Sequence, residues 1–292
     1  MIIQVIPVKD NNFLDALFFD PDLQLKDMQK GLTNKNYLLT LDGEEYVLRI
    51  PFADAANVVD RHHETLALQA LKDSDIDVDT IYYDEVSGYK VTRYLKDVVT
   101  YEECIYEDKI ERVAALMKRF HGLHTTIGVS FDPIGRYVQY ARHVKHQPFA
   151  FPMLNDLIKE LQHMKRTQVL CHNDWVSGNI LFTPAKTYLI DYEYAADNDP
   201  LFDVMSFLSE NNIQDETLRE RFYAVYFDTM DDQLRKDLLC FEAFEDVLWC
   251  HWALMMFESR QDPVYMHIAK AKAQGYNNVI NKWKAYQSSR VK

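Results

Sequence analysis

Apolar and polar residues are patterned in two different ways along this chain. Up to residue 95 the pattern is mostly strand-like. Residues 37–41 and 45–50 flank Asp42 and Gly43, a strong two-residue hairpin signal, and residues 80–86 and 89–95 flank Ser87 and Gly88, a second one. Two helices are expected among these strands: an opening one over 14–26, and one over 61–72 with Leu68 and Leu71 at helical spacing. After Lys96 the period becomes helical. Residues 108–124 place Ile110, Val113, Ala114, Met117, Phe120, His121 and His124 close to one stripe, as in a buried bundle helix. Helices are also expected over 154–164, 204–212, 217–228 and 232–257, whereas 131–151, rich in Pro, His and Tyr, shows no assignable period. The change of pattern predicts two domains, 1–95 and 96–292.

Within the second half, the stretch from 169 to 203 breaks the helical rhythm. It reads VLCHNDWVSGNILFTPAKTYLIDYEYAADNDPLFD, three short apolar runs each abutting polar, acidic residues. Asp174 is followed five residues later by Asn179, and Asp191 ends the third run. Phosphoryl transfer needs this kind of layout. The transferred group carries spread negative charge and requires divalent ions on oxygen ligands, here Asn179 and Asp191. It also needs a carboxylate clear of the metal, Asp174, to orient the attacking hydroxyl and accept its proton. An HxD triplet alone is a weak signal; the three residues together, each beside a strand-like run, are a strong one.

Composition narrows the partners. The chain has 292 residues, enough for two lobes, with 48% hydrophobic and 26% charged residues and no repeat. A net charge of −13 argues against nucleic acid or an anionic membrane as partner and suits a cationic small substrate. No apolar run approaches the ~20 residues of a membrane span. The start, MIIQVIPVKD, lacks the features of a signal peptide, and Cys104, Cys171, Cys240 and Cys250 form no CxxC pair or zinc spacing. A reduced, cytoplasmic protein is the expectation.

Other candidates each carry two readings. The polar loop from Lys30 through Gly31, Thr33 and Asn34 could close over phosphates or be a plain turn, since it holds one glycine only. Arg49 on a strand and Glu64 on the next helix are either a pair that grips a nucleotide's phosphates or two unrelated surface charges. Arg93, Tyr94 and Leu95 fall where the chain would cross between lobes, and there backbone groups would receive an adenine. His121 and His124 lack a third ligand at useful spacing and read as packing residues. Trp249 and Trp252, three apart on a helix, share a face and are either core or the wall of a site.

CHNDWVSGNI, LIDYEYAADND with FD following, GLTNKNY near the start and WCHW near the end together resemble the choline/ethanolamine kinases, in particular the compact bacterial choline kinases. The likeness spans about 31 to 252. It implies a two-lobe, protein-kinase-like α+β fold, with a small antiparallel lobe and a larger helical one, and an ATP- and Mg²⁺-dependent transfer to the hydroxyl of choline. Carried over by position, Asp174 becomes the base and Asn179 and Asp191 the Mg²⁺ ligands. Arg49 and Glu64 become the phosphate-gripping pair, Thr33 and Asn34 the loop over the phosphates, and Tyr194, Glu210, Trp249 and Trp252 the choline pocket. Glu193 stands where protein kinases have glycine, which disfavours a protein substrate, and Val176 replaces a polar residue of eukaryotic relatives. Kinases for ethanolamine, thiamine or an aminoglycoside share the pattern. A non-catalytic relative should have lost the base or a metal ligand, and none is lost.

Overall fold

A computed structural model of the chain describes residues 24–28, 34–41, 43–52, 60–165 and 167–288. It parts into two compact units, Met1–Cys104 with Gly178–Ala195, and Ile105–Ser177 with Ala196–Lys292.

The first unit is built on a five-stranded antiparallel sheet in the order β1-β2-β3-β5-β4. Its strands are β1 (Gln24–Asp27), β2 (Asn34–Leu41), β3 (Glu44–Pro51), β4 (Thr80–Tyr83) and β5 (Lys90–Arg93). β2 and β3 close as the dipeptide signal predicts, with Leu41 opposite Glu44 and Gly43 at φ +79°, a conformation open to glycine at little cost. Leu39, Leu48 and Val91 form the buried face, with Tyr37, Tyr46 and Ile50 packed on it. Helix α1 (Arg61–Ala70) starts where the Asp60 carboxylate accepts the His62 N–H at 3.0 Å. A smaller sheet runs β6 (Val99–Thr100), β8 (Ile180–Phe182), β9 (Thr187–Leu189), with β8 central.

The second unit holds a two-stranded ribbon, β7 (Val169–Cys171) paired with β10 (Ala196–Asn198), and the helices α2 (Lys109–His121), α3 (Pro133–His143), α4 (Leu154–His163), α5 (Pro200–Glu210), α6 (Glu216–Tyr226), α7 (Asp232–Arg260) and α8 (Pro263–Ser288). α7 is 29 residues long, and α8 runs back along it after a sharp reversal in which Gln261 takes φ +55°. The return is tight. The Cys250 thiol lies 3.4 Å from the Ala269 carbonyl, and a Cβ on Gly275 would stand 2.5 Å from Asp246 Oδ2, so a larger residue would have to displace that carboxylate. No described helix is long and apolar enough to cross a membrane.

Three expectations about elements need correcting. Of the opening helix over 14–26, residues 14–23 lie outside the described residues, and its end is strand β1, which pairs along β2 and leaves Leu25 46% exposed. The second hairpin is not closed by Ser87 and Gly88 alone. Asp84 turns the chain earlier, its carboxylate accepting from Val86 N, Ser87 N and Ser87 Oγ, and Tyr83 pairs with Lys90. The unassigned 131–151 contains α3, capped by the Asp132 carboxylate on Gly135 N at 3.0 Å.

Candidate active site

In the first unit, the site begins with Arg49. Register places Arg49 on β3 opposite Lys90 on β5, so the two cations share one face of the sheet. Arg49 donates through Nη2 to Glu64 Oε2 at 2.6 Å and through Nη1 to Asp191 Oδ1 at 2.5 Å. Helix α1 and the end of β9 are thereby tied to the same strand by charge-assisted bonds. Lys90 lies 3.8 Å from Glu64 Oε1 and 3.6 Å from Asp77 Oδ2, so cations and carboxylates alternate through a buried row. Burial alone would weaken the charge on Arg49, but Glu64 and Asp191 outweigh it and raise its pKa. Glu64 likewise stays below the usual carboxylate range, its burial overcome by Arg49 and Lys90. Asp77 goes the other way: burial lifts it to about 6, with Lys90 only partly offsetting.

These charges edge a cavity of about 270 Å³ whose walls include Val47, Thr92 and Leu181. The expected crossing residues Arg93, Tyr94 and Leu95 line it, as do Arg49 and Asp191. Asn179 ends a short 3₁₀ turn directly before β8, and its carbonyl accepts the Ile190 N–H at 3.0 Å, which sets it beside Asp191. Asp191 takes φ +70°, an uncommon conformation for a residue with a side chain. Asn34 is buried and its Nδ2 donates to Glu193 Oε2 at 3.2 Å. Thr33 lies outside the described residues. Tyr194, also in this unit, is buried.

In the second unit, the loop carrying Asp174 is held by a residue that sequence reasoning marked only as the end of the motif. Asp199 caps α5, accepting Leu201 N at 2.9 Å, and Pro200 opens the helix. This puts Asp203 in the first turn. Its fully buried carboxylate accepts His172 N at 2.8 Å, Asn173 N at 2.7 Å and His121 Nε2 at 3.0 Å. Burial pushes the Asp203 pKa up, yet the His121 bond and charge overcome it and hold the group below its ordinary value. Ser206 Oγ accepts Trp175 N at 3.1 Å, and Asn211 donates to the Trp175 carbonyl at 2.8 Å. Asn173 turns at φ +64°, so Asp174 sits on a loop clamped on both sides. His121, Cys171 and Asp203 converge closely enough to suggest a metal. His121 and Asp203 are engaged within the protein, however: His121 Nδ1 meets the Tyr226 hydroxyl at 2.7 Å, and the Asp203 oxygens hold the loop. The packing reading of His121 stands on that network.

The tryptophans form part of an aromatic group. Trp249 and Trp252 meet edge to face with centroids 6.2 Å apart, and Tyr265, a residue the sequence did not single out, meets Trp252 the same way at 5.7 Å. Trp249 is 7% and Trp252 8% exposed, and the buried Trp252 Nε1 has no hydrogen-bond partner among the described residues, as is also true of the core residue Trp283. Glu210 is not an open counter-charge: Lys272 Nζ stands 2.5 Å from its Oε1. The Glu210–Lys272 pair joins residues 62 positions apart on α5 and α8, with no short-range signal to announce it.

The sequence profile of the phosphotransferase enzyme family matches residues 24–236, and the chain belongs to that family. Its fold is the two-lobe, protein-kinase-like α+β architecture. It is similar to Protein LicA of Haemophilus influenzae, 25% identical over 242 residues that cover 76% of this chain and 70% of that protein. Among solved structures it resembles the choline kinase LicA from Streptococcus pneumoniae, with a TM-score of 0.78, 21% identity, and 91% of this chain and 97% of that one covered. A structure of LicA in complex with AMP matches with a TM-score of 0.73, 21% identity, and coverage of 94% and 96%. At these identities the structural likeness speaks for the fold.

Proposed function

We propose that this phosphotransferase moves the γ-phosphoryl group of ATP to the hydroxyl of choline, giving phosphocholine and ADP. The aromatic group Trp249–Trp252–Tyr265 carries the substrate assignment. A quaternary ammonium offers no N–H to an acceptor, so its recognition rests on diffuse charge and methyl packing, and aromatic faces supply both. The name of the Streptococcus pneumoniae neighbour points to the same substrate, and the AMP complex of the LicA neighbour supports an adenine nucleotide.

In this reading the first unit takes the nucleotide. The cavity between Val47, Thr92 and Leu181 receives the base, with backbone groups at Arg93, Tyr94 and Leu95 along its edge. Arg49, oriented by Glu64, presents its cation to the phosphates, and Thr33 and Asn34 are assigned to the same phosphates. The amide of Asn179 and the carboxylate of Asp191 are hard oxygen donors kept adjacent by the Ile190–Asn179 bond, a donor set that fits Mg²⁺. When bound, that ion would neutralise charge on the phosphates. The second unit supplies the acceptor side. Asp174, on the loop pinned by Asp203, accepts the proton of the attacking hydroxyl. Trp249, Trp252 and Tyr265 hold the ammonium end.

A coupled ADP-release assay over choline, ethanolamine, thiamine and kanamycin tests the proposal. Choline is expected to give the highest kcat/KM; ADP release that follows any of the other three in preference overturns it.

A further inference from the structure

The helices α7 and α8 that carry the aromatic group also carry charges that the reaction does not itself require. Lys272 Nζ, on α8, is 2.5 Å from Glu210 Oε1, 3.0 Å from Ser209 Oγ and 3.6 Å from Asp246 Oδ1. Lysine is a primary ammonium with three donors. Here they meet a carboxylate, a hydroxyl and a second carboxylate, the surroundings that a primary ammonium from outside would also need. The Lys272 side chain is 8% exposed and Asp246 4%. Burial disfavours the lysine's charge, but Glu210 and Asp246 overcome it and raise its pKa, so the cation stays in place.

This built-in ammonium is tied to the helices that carry the aromatic group, α7 and α8. On α8, Tyr265 lies two turns before Lys272 and therefore on nearly the same face. On α7, Asp246 lies three residues and Glu245 four residues before Trp249, again on adjoining faces. Glu245 is fully buried, and neither of its carboxylate oxygens has a hydrogen-bond partner among the described residues. Burial lifts its pKa well above the usual range; Lys272 opposes this, and Glu210, Asp246 and Asp203 add to it. Burial thus works against a charge on Glu245, which makes it a poor counter-ion for a substrate.

Resting on the choline reading, we propose that Lys272 determines specificity: it fills the ammonium site made by Glu210, Ser209 and Asp246 and leaves the substrate only the aromatic faces. A primary ammonium placed against those rings gives up its hydration and finds no acceptor for its N–H groups. A methylated ammonium has no such donors to satisfy and keeps the attraction of the rings.

Lys272→Met keeps the stem of the side chain and removes the charge. Tryptophan-fluorescence titrations with tetramethylammonium and methylammonium, without nucleotide, read the site directly. The wild type is expected to bind the former in preference, and K272M to bind methylammonium at least about ten-fold better than the wild type does, the scale of one charge-assisted hydrogen bond. The ratio of kcat/KM for ethanolamine over choline should rise in step. A folded K272M with unchanged selectivity overturns the proposal. If K272M does not fold, Lys272→Arg decides, because it keeps a cation on Glu210. K272R should still exclude methylammonium, and equal binding of the two probes would overturn the proposal. A wild type that phosphorylates neither alcohol defeats the choline reading instead, and the fluorescence titrations still judge Lys272.

Discussion

Replacing Asp203 with asparagine tests the idea that one buried carboxylate holds the catalytic loop. The carboxylate accepts three hydrogen bonds, from His172 N, Asn173 N and His121 Nε2, all at 3.0 Å or less. The amide side chain would be nearly isosteric, but one of its two head atoms becomes a donor facing an N–H. Hydrogen bonds to a charged acceptor contribute ~1.5–3 kcal/mol each, and a buried N–H left unpaired costs ~1–3 kcal/mol. Asp203→Asn should therefore destabilise the fold by about 3–5 kcal/mol, the range for breaking one side of a buried charged network. Urea unfolding followed by circular dichroism measures this as a lower midpoint with little change in slope. The pH dependence gives a second reading. A carboxylate whose folded pKa lies below its unfolded value stabilises above the unfolded value, about 3.9, and that contribution is lost as pH falls through the folded value. The wild type should lose stability below about pH 4, and D203N should lack that part of the acid limb. Equal midpoints for the two proteins, or superimposable acid limbs, would refute the reasoning.

Other perturbations separate the roles within the site. Asp174→Asn keeps the shape of the loop and removes the base, so turnover should fall ~10²–10⁴-fold while nucleotide binding survives in equilibrium titration; near-normal turnover excludes Asp174 as the base. Asp191→Asn exchanges a carboxylate for a poorer ligand of a hard cation, so its defect should be partly relieved at high Mg²⁺, and a magnesium titration that matches the wild type argues against the assignment. Trp252→Phe should raise the KM for choline several-fold, with cation–π attraction at stake on a scale of ~0.5–2 kcal/mol, and leave the KM for ATP and the melting temperature nearly unchanged. If only the melting temperature moves, that tryptophan belongs to the core.

The residues proposed to carry phosphoryl chemistry were legible because their signals are local. Asp174, Asn179 and Asp191 stand at short spacings beside apolar runs, and Arg49 and Glu64 stand 15 positions apart, on a strand and the helix that follows it. The structure joins Arg49 to Glu64 as that reading required, and to Asp191 as well. What stayed hidden is what long-range pairing decides. A carboxylate that accepts backbone N–H groups 30 and 31 residues upstream leaves no periodicity, so Asp203 looked like the tail of a motif. Glu210 looked like an unengaged pocket residue because its partner lies on α8, to which no pattern was assigned. Helix α8 itself could have been read from Tyr265, Ala269, Ala273, Tyr276, Ile280 and Trp283, whose spacing of three to four traces a buried stripe. The edge strand β1 could not, since its four residues are assigned by pairing with β2 and not by their own sequence.

The excursion of the chain from Gly178 to Ala195 has a consequence for dissection and inheritance. The ribbon β7–β10 brackets a segment that belongs, by its packing, to the first unit. A fragment ending at Cys104 would lack both strands that complete the sheet of β6, and Arg49 would keep Glu64 but lose Asp191. A fragment starting at Ile105 would carry those strands without β6, the strand that pairs with β8. No single cut yields two whole pieces, although domains usually part at a linker. The units must therefore be made, exchanged by recombination and degraded together. A hybrid with a foreign first unit would have to import 178–195 as well, through two junctions set within a few residues of Asp174 and β10.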